Sequence, residues 1–342
     1  MKHGGDSKMQ TSRKLVNALI AVAALVMMSV SALAADPGDP YPAASELSDQ
    51  KAGSILVYPV YTSSSANPAA QNTVMNITNT SSSSAVFVHL FFIANSCSVA
   101  DRFICLTAQQ TSSIDAFSED PGITGYVIAV ASDGVNGCPN SHNFLIGDEY
   151  VKFNDGYFGS LGAEAFSALF PGTVPGCDAN STSALLLFNG VPLLGYNRAG
   201  RVLAASSLGS RLDNTFHRIV VDSLRGDLFA SVNSIGNIFV ILYDEAEATY
   251  SSTLTAGCQL IGVLGDANFP RTTPRFERII PANSTGWLKF WATSDVPIVG
   301  AIFTRNPNSA TDQNAFNGAR TLHKLTLSTN GSLLMPIFPP SC

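Results

Sequence analysis

Apolar and polar positions alternate with a period of two along much of this chain, and Gln71–Ile93 (QNTVMNITNTSSSSAVFVHLFFI) shows the pattern most clearly. Val74, Asn76 and Thr78 interleave with Met75 and Ile77, which is the repeat of a strand with one buried face. Val86–Ile93 is almost unbroken β-branched and aromatic, as in a strand covered on both sides. Between them Asn79–Ser84 has nothing to bury and reads as a polar loop.

The second half of the chain repeats these features in the same order. Ala52-Gly53-Ser54-Ile55-Leu56 returns as Ala199-Gly200-Arg201-Val202-Leu203. The strand after Asn72-Thr73 returns as His217–Val221 after Asn214-Thr215, and Val86–Phe91 matches Ile238–Tyr243, with Cys97 and Cys258 each following. Further along, Leu106–Thr111 corresponds to Ile280–Thr285 and Gly125–Val130 to Val299–Thr304, and His142 and His323 each precede a last apolar strand. An internal repeat of this length predicts two tandem copies of one module. They span residues 52–153 and 199–342, after a linker over residues 35–51.

Residues 154–198 lie between the copies as an insertion. Within it Leu161–Phe170 places apolar residues at 161, 165, 166, 169 and 170 on one helical face, with Pro171 as the stop, so a helix is expected there. Ala184–Phe188 reads as an extra strand.

The strands of both copies are short, rich in Val, Ile, Phe and Thr, and separated by Ser, Asn, Gly and Pro clusters. In this the chain resembles bacterial secreted immunoglobulin-like and fibronectin-type proteins. The resemblance implies an all-β fold of two tandem antiparallel β-sandwich modules with a small mixed helical and strand insertion. The chain departs from antibody-type domains in having both tryptophans, Trp287 and Trp291, late in the second copy, and no functional residue is carried over.

Lys2, Lys8, Arg13 and Lys14 precede an apolar run from Leu15 to Leu33 that ends in small residues, so a signal peptide over residues 1–34 with cleavage after Ala34 is expected. A retained membrane anchor is the competing reading, since the run is about as long as a spanning helix needs, ~20 residues. Removing residues 1–34 takes four of the 19 basic residues and one of the 25 acidic ones, leaving a net charge of −9. That sign argues against nucleic acid or an anionic lipid surface as partner. No membrane span is expected after cleavage. The protein is expected to be exported: extracellular, at the cell surface, or periplasmic.

All six cysteines, Cys97, Cys105, Cys138, Cys177, Cys258 and Cys342, lie beyond the cleavage site, and an even count in an oxidising compartment favours disulfides. Six cysteines allow 15 connectivities, among which sequence does not choose; the simplest local set is Cys97–Cys105, Cys138–Cys177 and Cys258–Cys342. Zinc is the alternative, but no Cys-x-x-Cys spacing occurs.

Candidate chemistry is sparse. No phosphate-cradling, dinucleotide, nucleophile-elbow or His-Glu-x-x-His motif appears. His89 and His217 fall inside expected strands as packing residues. The acid pairs Asp148-Glu149 and Asp244-Glu245, with Glu247, suit a glycosidase only if they flank a bond; adjacent acids at strand ends read first as solvated edges. Asp133–Gly137 and Asn154-Asp155-Gly156 carry oxygen ligands suited to calcium, but also the residues of tight turns.

Tyr58, Tyr61, Tyr157, Phe158, Trp287, Phe290 and Trp291 are candidates for stacking on sugar rings, with Trp287 and Phe290 read first as core. No catalytic residue, cofactor or metal is assigned. The sequence therefore points to a non-enzymatic structural or adhesion-type protein whose partners are other surface proteins, itself, or glycans. A carbohydrate-binding or carbohydrate-acting protein is the alternative.

Overall fold

The computed structural model describes residues 36–37, 39–40, 51–267, 269–312 and 315–342. The expected signal peptide, its expected cleavage site at Ala34 and most of the expected linker lie outside the described residues. Within them strands dominate, and the helical pieces are two four-residue helices and one 3-10 turn at Arg211–Asp213. No helix among them is long and apolar enough to cross a membrane.

After β1 (Asp39–Pro40), the first half runs β2 (Ile55–Thr62), β3 (Asn72–Asn79), β4 (Val86–Ala94), β5 (Val99–Leu106), β6 (Thr111–Asp115), α1 (Ala116–Glu119), β7 (Thr124–Ser132), β8 (Leu145–Lys152), β9 (Phe158–Gly162) and β10 (Glu164–Phe166). Two antiparallel sheets, β10-β2-β7-β4-β5 and β6-β3-β8-β9, enclose a core of Leu56, Met75, Ile77, Val88, Leu90 and their neighbours. On β3 it is Thr73, Met75, Ile77 and Asn79 that are buried, in strict alternation.

β11 (Ser183–Phe188) leads to the second half: β12 (Gly200–Gly209), β13 (Phe216–Ser223), β14 (Gly226–Asp227), β15 (Ser231–Val232), β16 (Gly236–Asp244), β17 (Thr249–Ala256), β18 (Gln259–Val263), α2 (Phe276–Ile279), β19 (Thr285–Ala292), β20 (Ile298–Arg305), β21 (Gly318–Thr321), β22 (His323–Leu327) and β23 (Gly331–Pro336). The pairings of the first half recur one for one. β22-β12-β19-β16-β17 repeats β10-β2-β7-β4-β5, and β18-β13-β20-β21 repeats β6-β3-β8-β9. One bridge, Gly200 to Ile298, joins the two second-half sheets into a single curled sheet.

Local detail repeats with the topology. β2 slips its register against β7 between Tyr58 and Tyr61, and β12 slips against β19 between Ala205 and Leu208. Pro59, which has no N–H to donate, sits inside the first of these bulges. Opposite the bulges stand Gly125 and Gly286, where a Cβ would run into the carbonyl oxygens of Ile93 and Tyr243. Just beyond, the Thr62 N–H donates to Thr73 Oγ1 (2.9 Å) where the Gly209 N–H donates to His217 Nε2 (2.9 Å).

Several expected correspondences are corrected. Gly125–Val130 lies in β7, whose counterpart is β19 rather than Val299–Thr304 in β20; Thr124-Gly125-Tyr126 and Thr285-Gly286-Trp287 are the matching signatures. Leu106–Thr111 is the β5–β6 turn, whereas Ile280–Thr285 joins α2 to β19 as Asp120–Thr124 joins α1 to β7. His142 precedes β8, but His323 begins β22, the counterpart of β10.

The helix expected over Leu161–Phe170 is instead β9, β10 and the chain leading out of them. Leu161, Ala163 and Ala165 are buried at a period of two, and β10 pairs with β2 through Glu164–Val57, Ala165–Leu56 and Phe166–Ile55. Tertiary pairing overrides the helix preference of Ala and Leu here. Buried Glu164 forms an ion pair with Lys324 of the second half.

β11 does not end the first half. It joins β23, β14 and β15 in a four-stranded sheet, β11-β23-β14-β15, which lies on the outer face of the first sandwich. The two halves also meet directly, where Val60, Val151, Phe153 and Leu161 pack on Val220, Ala301 and Phe303.

The six cysteines form three disulfides, Cys97–Cys258, Cys105–Cys342 and Cys138–Cys177, with Cα–Cα distances of 5.6, 6.0 and 5.9 Å. Of the local pairs only Cys138–Cys177 forms. Cys97 and Cys105 lie at opposite ends of β5, and an extended strand of that length holds its ends roughly 25 Å apart. Cys258 sits in the β17–β18 turn beside Cys97, and Cys342 returns to β5.

Candidate interaction surface

Period two puts one set of side chains inside each sandwich and the other on its outer face, and the halves differ in what happens outside. In the first half Ile55, Val57, Phe91, Ile93, Tyr126, Ile128 and Val130 face outward yet are fully buried. Sheet β11-β23-β14-β15 lays Ala184, Leu186, Phe188, Val232, Leu333 and Met335 over them. In the second half the register of β16 on β19 places Phe239, Ile241 and Tyr243 beside Trp291, Lys289 and Trp287 in the matching positions. These six are half-buried, and the neighbouring Thr249, Ser251 and Thr253 of β17 are exposed. No further sheet remains among the described residues to cover this face.

The rings on the face pack on one another. Tyr243 and Trp287 stack with centroids 4.1 Å apart at 2°, and Phe239 meets Trp291 at 5.2 Å and 55°. The Lys289 ammonium stands 6.0 Å from the Tyr243 centroid, within cation–π reach. Rings stacked on each other present edges outward, so this is a ridge for interdigitation rather than a flat platform for a sugar ring.

The other candidate aromatics are elsewhere. Tyr58 and Tyr61 are fully buried, Tyr157 is buried, and Phe290 belongs to the second core. Phe158 is exposed. Trp287, read first as core, is on the outer face. Trp287, Lys289 and Trp291 are spaced by two, and that alternation was the available signal.

The histidines serve packing and hydrogen bonding. His89 is buried between Phe91 and Phe103, with ring centroids 4.1 and 4.0 Å away, and its Nε2 meets Asp101 Oδ2 at 2.7 Å; burial lowers its pKa. His217 accepts from Gly209 through Nε2, so Nδ1 carries the proton toward Thr304 Oγ1 (3.1 Å), and burial pulls its pKa down to about 4. His142 faces Asn79 Oδ1 at 2.8 Å, and exposed His323 lies 3.4 Å from Ser206 Oγ. In these contacts no imidazole links an acid to a hydroxyl.

Glu149, expected at a solvated edge, is fully buried on the inner face of β8, and burial raises its pKa well above the carboxylate range. Its Oε1 accepts from the Val60 N–H (3.4 Å) while Oε2 has no partner. The corresponding position of β20 is Ile302, where a buried side chain needs no partner. Asp222 is likewise buried with a raised pKa, accepting from Gln259 Nε2 at 2.8 Å.

Asp244 accepts from the Ala246 and Ala248 N–H groups, and Glu245 accepts from Thr285, so this acid pair locks a turn. Asp133 accepts from the N–H groups of Val135, Asn136 and Cys138, and Asp155 pairs with Arg218. No group of three or more His, Cys, Asp or Glu side chains converges among the described residues.

Two clefts open beside strands of the second half, the first polar and the second more apolar. One, of about 610 Å³, lies between Leu187, Asn189, Arg225, Asp295, Thr329 and Asn330. The other, of about 450 Å³, is floored by His217 and Thr304 and edged by Phe316 and Arg320. In the first half the place matching the second cleft is plugged by Gln71, whose Nε2 donates to Thr62 Oγ1 (2.6 Å). Comparison with protein families, curated proteins and solved structures finds no match.

Proposed function

We propose that the mature chain is an exported, non-enzymatic structural or adhesion-type protein that meets its partners through the outer face of its second sandwich. The observation that carries this reading is the contrast between equivalent faces, one fully buried under a sheet and one whose six large side chains on β16 and β19 stay half-buried. Contiguous apolar surface of that kind marks an interaction site. The three disulfides fit an oxidising, exported environment. Within it, we place the protein at the cell surface, outside the cell or in the periplasm.

A carbohydrate-binding role is the second reading, and the 610 Å³ cleft favours it, because Asn189, Arg225, Thr329 and Asn330 offer amide, guanidinium and hydroxyl groups suited to a polyhydroxylated ligand. Light scattering on oxidised mature protein, beside a panel of immobilised glycans and soluble polysaccharides, separates the two. Association that is lost in Trp287→Ser/Trp291→Ser, with no polysaccharide turnover, is expected. A monomer retained on a glycan, or turnover abolished by Glu149→Gln or Glu245→Gln, overturns the proposal.

A further inference from the structure

The two halves differ at one end of the sandwich. In the first, Gln71 reaches from the start of β3 to the end of β2, its Nε2 donating to Thr62 Oγ1 at 2.6 Å and to the Ser63 carbonyl oxygen at 3.3 Å. Thr62 Oγ1 also meets Thr124 Oγ1 at 2.6 Å, so this end is filled. Strand pairing fixes the counterparts in the second half. Thr73 matches His217, which puts Thr215 in the place of Gln71, and Gly209 opposite Thr285 takes the place of Thr62 opposite Thr124. Gly209 and Thr215 face each other, a Cβ at Gly209 falling 3.1 Å from Thr215 Cγ2. Both replacements are smaller than the residues they match, and the cleft of about 450 Å³ over His217 is what they leave. That volume lies within the roughly 300–1,000 Å³ of small-ligand sites.

A third replacement gives the cleft its charge. Buried Leu161, paired with Glu149, corresponds to Arg320, paired with Ile302. Arg320 is half-buried and donates from Nη2 to the Ser206 carbonyl oxygen, and among the described residues no carboxylate pairs with it. Burial lowers its pKa, but a guanidinium stays charged in a protein. His217 beneath it has both ring nitrogens engaged and is neutral. Among the described residues lining the cleft, Arg320 is therefore the one charge, and none is acidic.

The hydroxyls add donors. Thr304 Oγ1 accepts from His217 Nδ1 at 3.1 Å and Thr215 Oγ1 accepts from Asn306 Nδ2 at 3.2 Å, which leaves each hydroxyl hydrogen free. We infer that this cleft binds a small organic carboxylate, its acid group on Arg320, Thr215 and Thr304 and its carbon body along Phe316, which is 72 % exposed at the rim. A carboxylate makes short, strong bonds to such donors. A single guanidinium in a mostly apolar cleft matches one negative charge on an apolar body better than the two charges of a phosphate. The outer-face reading above does not use this cleft, and the inference goes beyond it.

The test is calorimetric titration of oxidised mature protein with phenylacetate, its neutral isostere phenylacetamide, and inorganic phosphate. Phenylacetate is expected to bind, and phenylacetamide roughly tenfold or more weakly, because a charge-assisted bond separates them. Arg320→Leu, which matches Leu161 of the first half, is expected to weaken phenylacetate by a similar factor, and Arg320→Lys to weaken it less. Thr215→Gln copies the Gln71 plug with Arg320 in place and is expected to abolish binding.

Thermal melts without ligand confirm the fold of each variant, and the comparison of phenylacetate with phenylacetamide on the wild type decides even where a variant fails to fold. No binding of phenylacetate at millimolar concentration overturns the inference. So do equal affinities for acid and amide, phosphate bound in preference to phenylacetate, or unchanged binding in folded Thr215→Gln. These outcomes leave the outer-face reading standing, since Trp287 and Trp291 are untouched.

Discussion

Cys97 and Cys258 are bonded across 161 residues of sequence, joining the β4–β5 turn of the first sandwich to the β17–β18 turn of the second. The Cys258 N–H also donates to Cys97 Sγ at 3.1 Å, so the two turns are locked as a unit. Cross-links that close long loops remove the most freedom from the unfolded chain, in the chain-entropy account. Replacing both residues with serine is expected to cost about 2–5 kcal/mol by urea denaturation. An unchanged midpoint shows that the bond is absent or carries no constraint.

Gly125 and Gly286 hold equivalent places opposite the two bulges, and both leave no room for a Cβ against backbone. Backbone cannot swing aside as a side chain does. Gly125→Ala and Gly286→Ala are each expected to lower stability by more than about 2 kcal/mol, in the range of overpacked cores. Gly318→Ala, with open space around it, is the control and is expected to change little. Equal melts for all three contradict the equivalence of the bulges.

The Tyr126 hydroxyl donates to the Ser223 carbonyl oxygen at 2.7 Å, tying a first-half strand to β13 inside a fully buried seam. Tyr126→Phe keeps the ring and leaves that acceptor unpaired. A loss of about 1–3 kcal/mol is expected, the cost of a buried orphan group. A difference below about 0.5 kcal/mol means that water reaches the acceptor.

Burial raises the carboxyls of Glu149 and Asp222. The folded chain therefore keeps protons that the unfolded chain releases near pH 4. Their contribution to stability is complete below about pH 4 and is lost as pH climbs toward their raised folded values. His217 acts in the opposite sense. Lowered to about 4, it contributes fully above about pH 6.5 and fades as pH falls from there. Glu149→Gln is expected to flatten the decline in urea midpoint as pH rises above the unfolded carboxyl range near about pH 4, and to leave the acid side unchanged. Parallel curves for variant and wild type show that Glu149 is ionised in the fold.

Much of this architecture is legible in the residues, because strand period and turn chemistry are local. The two strands either side of the Asn79–Ser84 loop and the β11 strand form, but β3 and β4 lie in different sheets and do not pair as a hairpin. What misleads are features whose causes lie far away in sequence. Glu164 looks like a polar helix position until Lys324 of the second half is brought to it. Cys97 and Cys105 look adjacent until an extended strand is placed between them.

The repeat is matched to the right strands early on but about two residues out of register, since Thr73 corresponds to His217 and Val88 to Ile238, and it slips to the wrong strands later. There, Gly-x-apolar patterns recur in both β7 and β20, and only the bulge opposite Gly286 fixes the match. The open face was hidden for a different reason. A half-buried Trp on an outer face reads as core when the sheet order around it cannot be seen.

Both tryptophans of the chain lie on that face, so tryptophan emission, excited at wavelengths where tyrosine does not absorb, reports on it alone. The decisive measurement is acrylamide quenching of wild-type emission across a dilution series. Efficient quenching in dilute protein, giving way to protection and a blue shift as concentration rises, is the predicted result. Emission that is blue and protected at every dilution contradicts the account, because it means the face is already covered within the single chain.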